Sequence, residues 1–138
     1  SGSYRYETLV RGDNITSFSK VSEQQILLTD NNLKNIDLDT YNGFMELTKK
    51  IKDENIIPSI IGKGLYINNK IQDINIDVKV SYTSKSEIIS LSQIIAEQIA
   101  SLFAKEALIE VVIRNDSNID VVIVKNRNET DPEIFFLK

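Results

Sequence analysis

Between residues 74 and 82 apolar and polar side chains alternate without a break. Ile74, Ile76, Val78, Val80 and Tyr82 fall on one side of an extended chain, and Asn75, Asp77, Lys79 and Ser81 on the other. Successive strand residues face opposite sides, so this run predicts a strand with one buried and one wet face. Ser84 to Glu87 then has the Ser-x-x-Glu form of a capping box, in which hydroxyl and carboxylate satisfy backbone amides reciprocally. A helix is predicted from Lys85. Its apolar residues Ile88, Leu91, Ile95, Ile99, Leu102 and Phe103, widened by Ile94, Ala96 and Ala100, form a broad stripe suited to packing on a sheet. The period shortens again over residues 108–113, where adjacent Val111 and Val112 predict a strand buried on both faces in the middle of the sheet. After the turn Asn115-Asp116-Ser117-Asn118, residues 119–124 predict an antiparallel partner strand.

The first half is less regular. Residues 4–10 and 15–18 have strand composition around the turn cluster Arg11-Gly12-Asp13-Asn14, which predicts an N-terminal β-hairpin. Residues 24–29 read as a strand, Asp30-Asn31-Asn32 as its turn, and residues 33–36 as a linking segment. Tyr41, Phe44, Met45, Thr48 and Ile51 recur at helical spacing. Asp37 and Asp39 stand at the start of that run and Lys49, Lys50 and Lys52 at its end, as the helix dipole favours, and Asn55 closes it. Residues 56–61 read as a strand that Pro58 should confine to an edge, and Gly62-Lys63-Gly64 as a flexible turn or bulge. Residues 65–67, the Asn68-Asn69 turn and Lys70 onward read as a hairpin. Residues 125–132 are polar and loop-like. Residues 133–138, with Phe135 and Phe136, read as a last strand or an exposed anchor, core packing being the expected state.

From residue 24 the order is strand, helix, strand, strand, helix, strand. That order predicts an α+β two-layer sandwich: an antiparallel sheet with two helices on one face, a ferredoxin-like split βαβ core, plus the N-terminal hairpin. Ser1-Gly2-Ser3 reads as the scar of a cleaved tag and residues 4–138 as a single domain, for which 138 residues are ample.

Composition narrows the chemistry. There is no cysteine, so thiolate chemistry, disulfides and Cys-type zinc sites are excluded. No histidine is present either, which removes the commonest general base and most transition-metal ligands. A net charge of -4 argues against nucleic acid as partner. The abundance of Ile, Asn and Lys suggests an AT-rich bacterial genome. An extracytoplasmic, membrane-anchored protein is favoured over a cytoplasmic one, with any anchor lying upstream of Tyr4.

Short motifs add little. Arg11-Gly12-Asp13 spells an adhesion tripeptide within a turn, and Ser17 to Lys20 spells Ser-x-x-Lys without its companion motifs. Three Asn-x-Ser/Thr sequons occur in a chain rich in those residues. Asp30 with Asn32 lacks the glycine and glutamate of a calcium loop. A carboxylate set of Asp37, Asp39, Asp73 and Asp77 is the arrangement a magnesium enzyme would need, and nothing in the sequence brings the four together. No catalytic, cofactor-binding or metal-binding residue is therefore assigned.

Gly64-Leu65-Tyr66-Ile67, residues 76–82, the helix and residues 109–113 together resemble the core of alkaline-shock envelope-stress proteins. The element order resembles the ring-building modules of secretion and sporulation assemblies. Fold analogy carries no function. The reading that remains is a non-enzymatic protein-interaction or assembly domain, with a protein partner or self-association; a small-ligand sensor binding between sheet and helices is the alternative. The candidate surface is Asn75, Asp77, Lys79 and Ser81 on the polar strand face, with Ile119, Val121, Phe135 and Phe136. Strand edges at residues 56–61 or 119–124 are the expected docking elements.

Overall fold

The computed structural model describes residues 22–52, 59–81 and 84–137. The predicted N-terminal hairpin, Arg11-Gly12-Asp13, Ser17 to Lys20, Asn55, Pro58 and Tyr82 lie outside the described residues.

Among the described residues six strands form one sheet in sequence order: β1 (Glu23–Leu27), β2 (Ser59–Ile67), β3 (Lys70–Val80), β4 (Leu108–Asn115), β5 (Asn118–Lys125) and β6 (Glu133–Phe136). Between β1 and β2 come a one-turn helix, α1 (Leu33–Ile36), and α2 (Leu38–Lys52); α3 (Lys85–Leu102) joins β3 to β4. The two long helices and one face of the sheet share a single core. Phe44, Leu47 and Ile51 of α2 and Leu91, Ile95 and Ile99 of α3 cover Ile74, Ile76 and Val78 of β3, Ile109, Val111 and Ile113 of β4, and Val121 and Ile123 of β5. Fully burying one such side chain contributes roughly 1.5–3 kcal/mol before the entropy of ordering is subtracted.

The ferredoxin-like expectation is overturned. A split βαβ core interleaves its strands, whereas here every strand pairs with its chain neighbour. β1 pairs antiparallel with β2 although two helices separate them, and β3 pairs parallel with β4 across α3, so the sheet is mixed rather than antiparallel. Element order alone leaves strand pairing open. The same order fits an interleaved sheet and a sequential one.

Local readings fared better. The alternation of β3 is as expected: Ile74, Ile76, Val78 and Val80 are buried, Asn75 and Lys79 exposed. Ser84 caps α3 with both halves of the capping box formed, its hydroxyl accepting from the Glu87 amide at 3.2 Å and its own amide donating to Glu87 Oε1 at 2.8 Å. Those bonds, the Ser84 amide first, hold the Glu87 carboxyl below its usual range. Asn68 and Asn69 have φ of 51° and 66°, the left-handed pair that a type I′ turn requires.

Three segments differ from expectation. Gly62-Lys63-Gly64 is not a turn but the middle of β2, and the first of these glycines answers to packing. A Cβ built on Gly62 would lie 2.6 Å from a ring carbon of Phe44 and 2.8 Å from Leu28 Cδ1. β4 is central but only one of its faces is closed: Glu110 is exposed and Val112 half-buried. β6 does pair with β5, yet Phe135, Phe136 and Leu137 remain 46%, 47% and 53% exposed, so the aromatic pair is not core.

Candidate functional site

The helices cover one face of the sheet, and among the described residues nothing covers the other face along the six strands. Alternation along β2 turns Ile61, Lys63, Leu65 and Ile67 to it. β3 adds Asn75, Asp77 and Lys79; β4 adds Glu110, Val112 and Arg114; β5 adds Val122 and Val124. Phe135 stands opposite Val122 in the ladder and so joins the same face. Among these, Ile61 and Phe135 are about half exposed, as is Leu27 of β1, and Leu65, Ile67, Val112, Val122 and Val124 are half-buried. The surface thus mixes an apolar stripe with fixed charges. Its middle forms a groove walled by Ile61, Lys63, Asn75, Asp77, Glu110 and Val112.

The charges have an internal order. Lys79 and Arg114 stand directly opposite one another in the parallel β3–β4 ladder, where like charges repel. Arg114 leans back one step instead, its Nε donating to Asp77 Oδ2 at 2.9 Å and Oδ1 at 3.1 Å. Lys79 is left pointing to solvent. Both partners of the ion pair are more than a third exposed, so it contributes at most about 1 kcal/mol and serves to fix the Arg114 side chain.

Elsewhere the candidate residues scatter. Ser81 is half-buried at the end of β3, Ile119 is half-buried beside the β4–β5 turn opposite Arg114, and Val121 is fully buried beneath the helices. Phe136 turns to the helix side, where it borders a groove with Lys85, Ile88, Ile89 and Val121. Of the sequence-selected residues, Asn75, Asp77, Lys79 and Phe135 therefore share the open face. The apolar members Ile61, Leu65, Val112, Val122 and Val124 were missed. Reading Gly62 and Gly64 as a turn concealed the period of two that sends Ile61, Lys63 and Leu65 outward.

The four acids weighed for magnesium are dispersed. Asp77 is held by Arg114 and Asp73 by Arg127, which also donates to the Gln72 carbonyl at 2.5 Å. Asp39 is exposed at the start of α2. Asp37 caps that helix, its Oδ1 accepting from the Thr40 amide at 3.2 Å and its Oδ2 from the Thr40 hydroxyl at 2.6 Å and the Tyr66 hydroxyl at 2.9 Å. Among the described residues no group of three or more His, Cys, Asp or Glu side chains is placed to hold a metal ion, and no helix is long and apolar enough to cross a membrane. The space between sheet and helices is filled by core side chains.

Comparison with known proteins gives a consistent result. The family model described as "CamS sex pheromone cAM373 precursor" matches residues 1–131. The crystal structure of the sex pheromone staph-cAM373 precursor superposes with a TM-score of 0.75 at 24% identity, over 84% of this chain and 42% of that one. The C-terminal domain of the sex pheromone staph-cAM373 precursor from Staphylococcus aureus gives 0.74 at 19% identity, over 86% and 35%. The sex pheromone precursor from Lactobacillus salivarius subsp. salivarius UCC118 gives 0.73 at 16%, over 86% and 35%. At these identities the structures establish the fold alone, and the chain spans well under half the length of each. No curated protein matches the chain.

Proposed function

The chain belongs to the CamS family, and from that premise we propose that it is a non-enzymatic protein-binding domain whose contact surface is the open face of its sheet. Neither the alkaline-shock nor the ring-module resemblance is the family that matches. The solved relatives are named as pheromone precursors, and the folded part of a precursor has no need of catalytic apparatus. A pheromone acts between cells, which agrees with the extracytoplasmic location favoured by the sequence reading.

The observation that carries this reading is a row across the sheet, Ile61, Asp77, Val112, Val122 and Phe135 on five neighbouring strands, apolar except at Asp77, with Ile61 and Phe135 about half exposed and the two valines half-buried. Scattered single apolar residues on a surface are ordinary; three adjacent ones, Val112, Val122 and Phe135, rimmed by oriented charges fit the pattern of a contact site. Lys63, Lys79 and the Asp77–Arg114 pair supply that rim. Full absence of His and Cys from the sequence supports a binding role over a chemical one.

The test is site-specific photo-crosslinking in the producing bacterium, with the photoreactive residue placed at Ile61, at Val112, and at the exposed helix position Glu97 as control. A discrete protein adduct from the two sheet positions and none from Glu97 is expected. Equal labelling from the helix, or no adduct from the sheet, would overturn the proposal.

A further inference from the structure

The expected docking strands turn out to be internal. β2 lies between β1 and β3 and β5 between β4 and β6, so their ladder groups are already used. Among the described residues the outer strands are β1 and β6, and they differ in kind. β1 carries Glu23, Gln24 and Gln25, a polar outer surface. β6 carries Ile134, Phe135 and Phe136 and runs into Leu137, three of the four about half exposed.

The Leu137 amide donates to the Asp120 carbonyl at 2.9 Å, which fixes the phase of this edge. Inward- and outward-facing backbone groups alternate along an antiparallel ladder. Glu133 and Phe135 are therefore bonded to β5 like Leu137, while Ile134 and Phe136 turn N–H and C=O away from the sheet. Natural edges are blunted by shortness, by lysine or proline within them, or by a bulge. β6 is four residues long with Pro132 before it and Lys138 following Leu137, but residues 133–137 themselves hold no lysine, proline or bulge and pair with β5 in unbroken register; their single charge is Glu133.

We propose that β6 is a self-association edge at which a second copy of this chain adds its own β6, antiparallel, across a two-fold axis at Phe135. Parity leaves few registers, because outward-facing residues must oppose outward-facing residues. With the axis at Phe135, Ile134 of each copy faces Phe136 of the other and each such pair exchanges N–H···O bonds in both directions. The two Phe135 rings meet on the open face, where aromatic cross-strand pairs stabilise a sheet. Glu133 faces Leu137, so no like charges are opposed. On the helix side the added Ile134 and Phe136 extend the apolar wall of the groove beside Ile88 and Ile89.

A second copy suits this edge better than β1 does. β6 on β6 is the same patch on both partners and closes at two, whereas β1 on β6 would run on as a filament. The area sets the strength. Half-exposed Phe135, Phe136 and Leu137 of two copies amount to roughly 500–600 Å² of apolar surface, against about 1,200–2,000 Å² in a stable interface. The dimer is accordingly reversible and concentration-dependent. It uses the sheet's edge, and stands whether or not the open face has a partner.

Sedimentation of the 138-residue chain over a wide range of loading concentration tests this. The mass should climb from 15.7 kDa toward twice that value. Phe136→Pro removes an outward N–H while leaving the bonds to β5 intact, and should hold the mass at the monomer with an unchanged far-ultraviolet spectrum. Phe135→Lys should do the same if the proline variant fails to fold, and Ile61→Lys on the open face should dimerise like the parent. A mass fixed at 15.7 kDa up to the solubility limit would overturn the proposal. So would dimerisation lost in Ile61→Lys but retained in Phe136→Pro.

Discussion

Tyr66 donates its hydroxyl hydrogen to Asp37 Oδ2 across 2.9 Å, tying the second strand of the sheet to the first turn of α2. The phenol is almost wholly buried, and burial together with the acceptor carboxylate pushes its pKa well above the usual tyrosine value. In the unfolded chain that hydroxyl ionises near pH 10. The folded state holds it neutral, so the unfolded state releases the proton first, and stability falls as pH rises past about 10. Tyr66→Phe should cost about 1–2 kcal/mol at neutral pH through loss of the bond to a charged acceptor. Denaturant titrations at several pH values should show the variant with a flatter alkaline decline than the parent.

Gly62→Ala should destabilise the protein by roughly 1–3 kcal/mol, because the new methyl would sit 2.6 Å from the Phe44 ring. Ordinarily alanine in a strand is no worse than glycine. The double variant with Phe44→Leu should cost less than the sum of the single changes, since the leucine vacates the space the methyl needs. Chemical denaturation of the four proteins in a double-mutant cycle gives the coupling; additivity would show that the clash is relieved elsewhere.

Lys125 is 2% exposed, its stem in the core and its Nζ 2.6 Å from the Lys105 carbonyl. Burial lowers its pKa, outweighing the attraction of Glu106 and Glu129. Here the sign is opposite to Tyr66: below the lowered folded value both states are charged and the folded state bears the cost. That cost is relieved as pH rises from the folded value toward the unfolded value near 10.4. Lys105's carbonyl also accepts from the Asn128 amide at 2.9 Å, so Lys125→Met leaves it bonded. The methionine variant should match or exceed the parent's stability at pH 7, with the difference shrinking toward pH 10. Calorimetric unfolding across that range measures it; a large loss at pH 7 would show that the ammonium stabilises the fold.

Sequence reasoning succeeded where structure is set by neighbours in the chain. The β3 alternation, the Ser84–Glu87 box and the Asn68-Asn69 turn each rest on residues within a few positions of one another, and each is present. It failed where partners are distant. Strand order depends on which edges meet after α2 and α3 have folded back, and no residue of β1 announces that β2 will lie beside it. Gly62 misled for the same reason: its lack of a side chain is explained by Phe44, eighteen positions away, and a glycine read locally is a turn. Val112 looked doubly buried because composition records propensity, while the openness of one sheet face depends on where the helices go.

The lack of histidine and cysteine has a consequence beyond the chemistry it excludes. Those are the side chains whose charge ordinarily changes near neutrality. Of the three groups displaced from their ordinary values among the described residues, Glu87 and Tyr66 move away from neutral pH and Lys125 moves toward it. No imidazole or thiol of this sequence can therefore act as a titrating switch between acidified and neutral growth medium. A partner whose release on acidification depended on an imidazole would have to supply that imidazole itself.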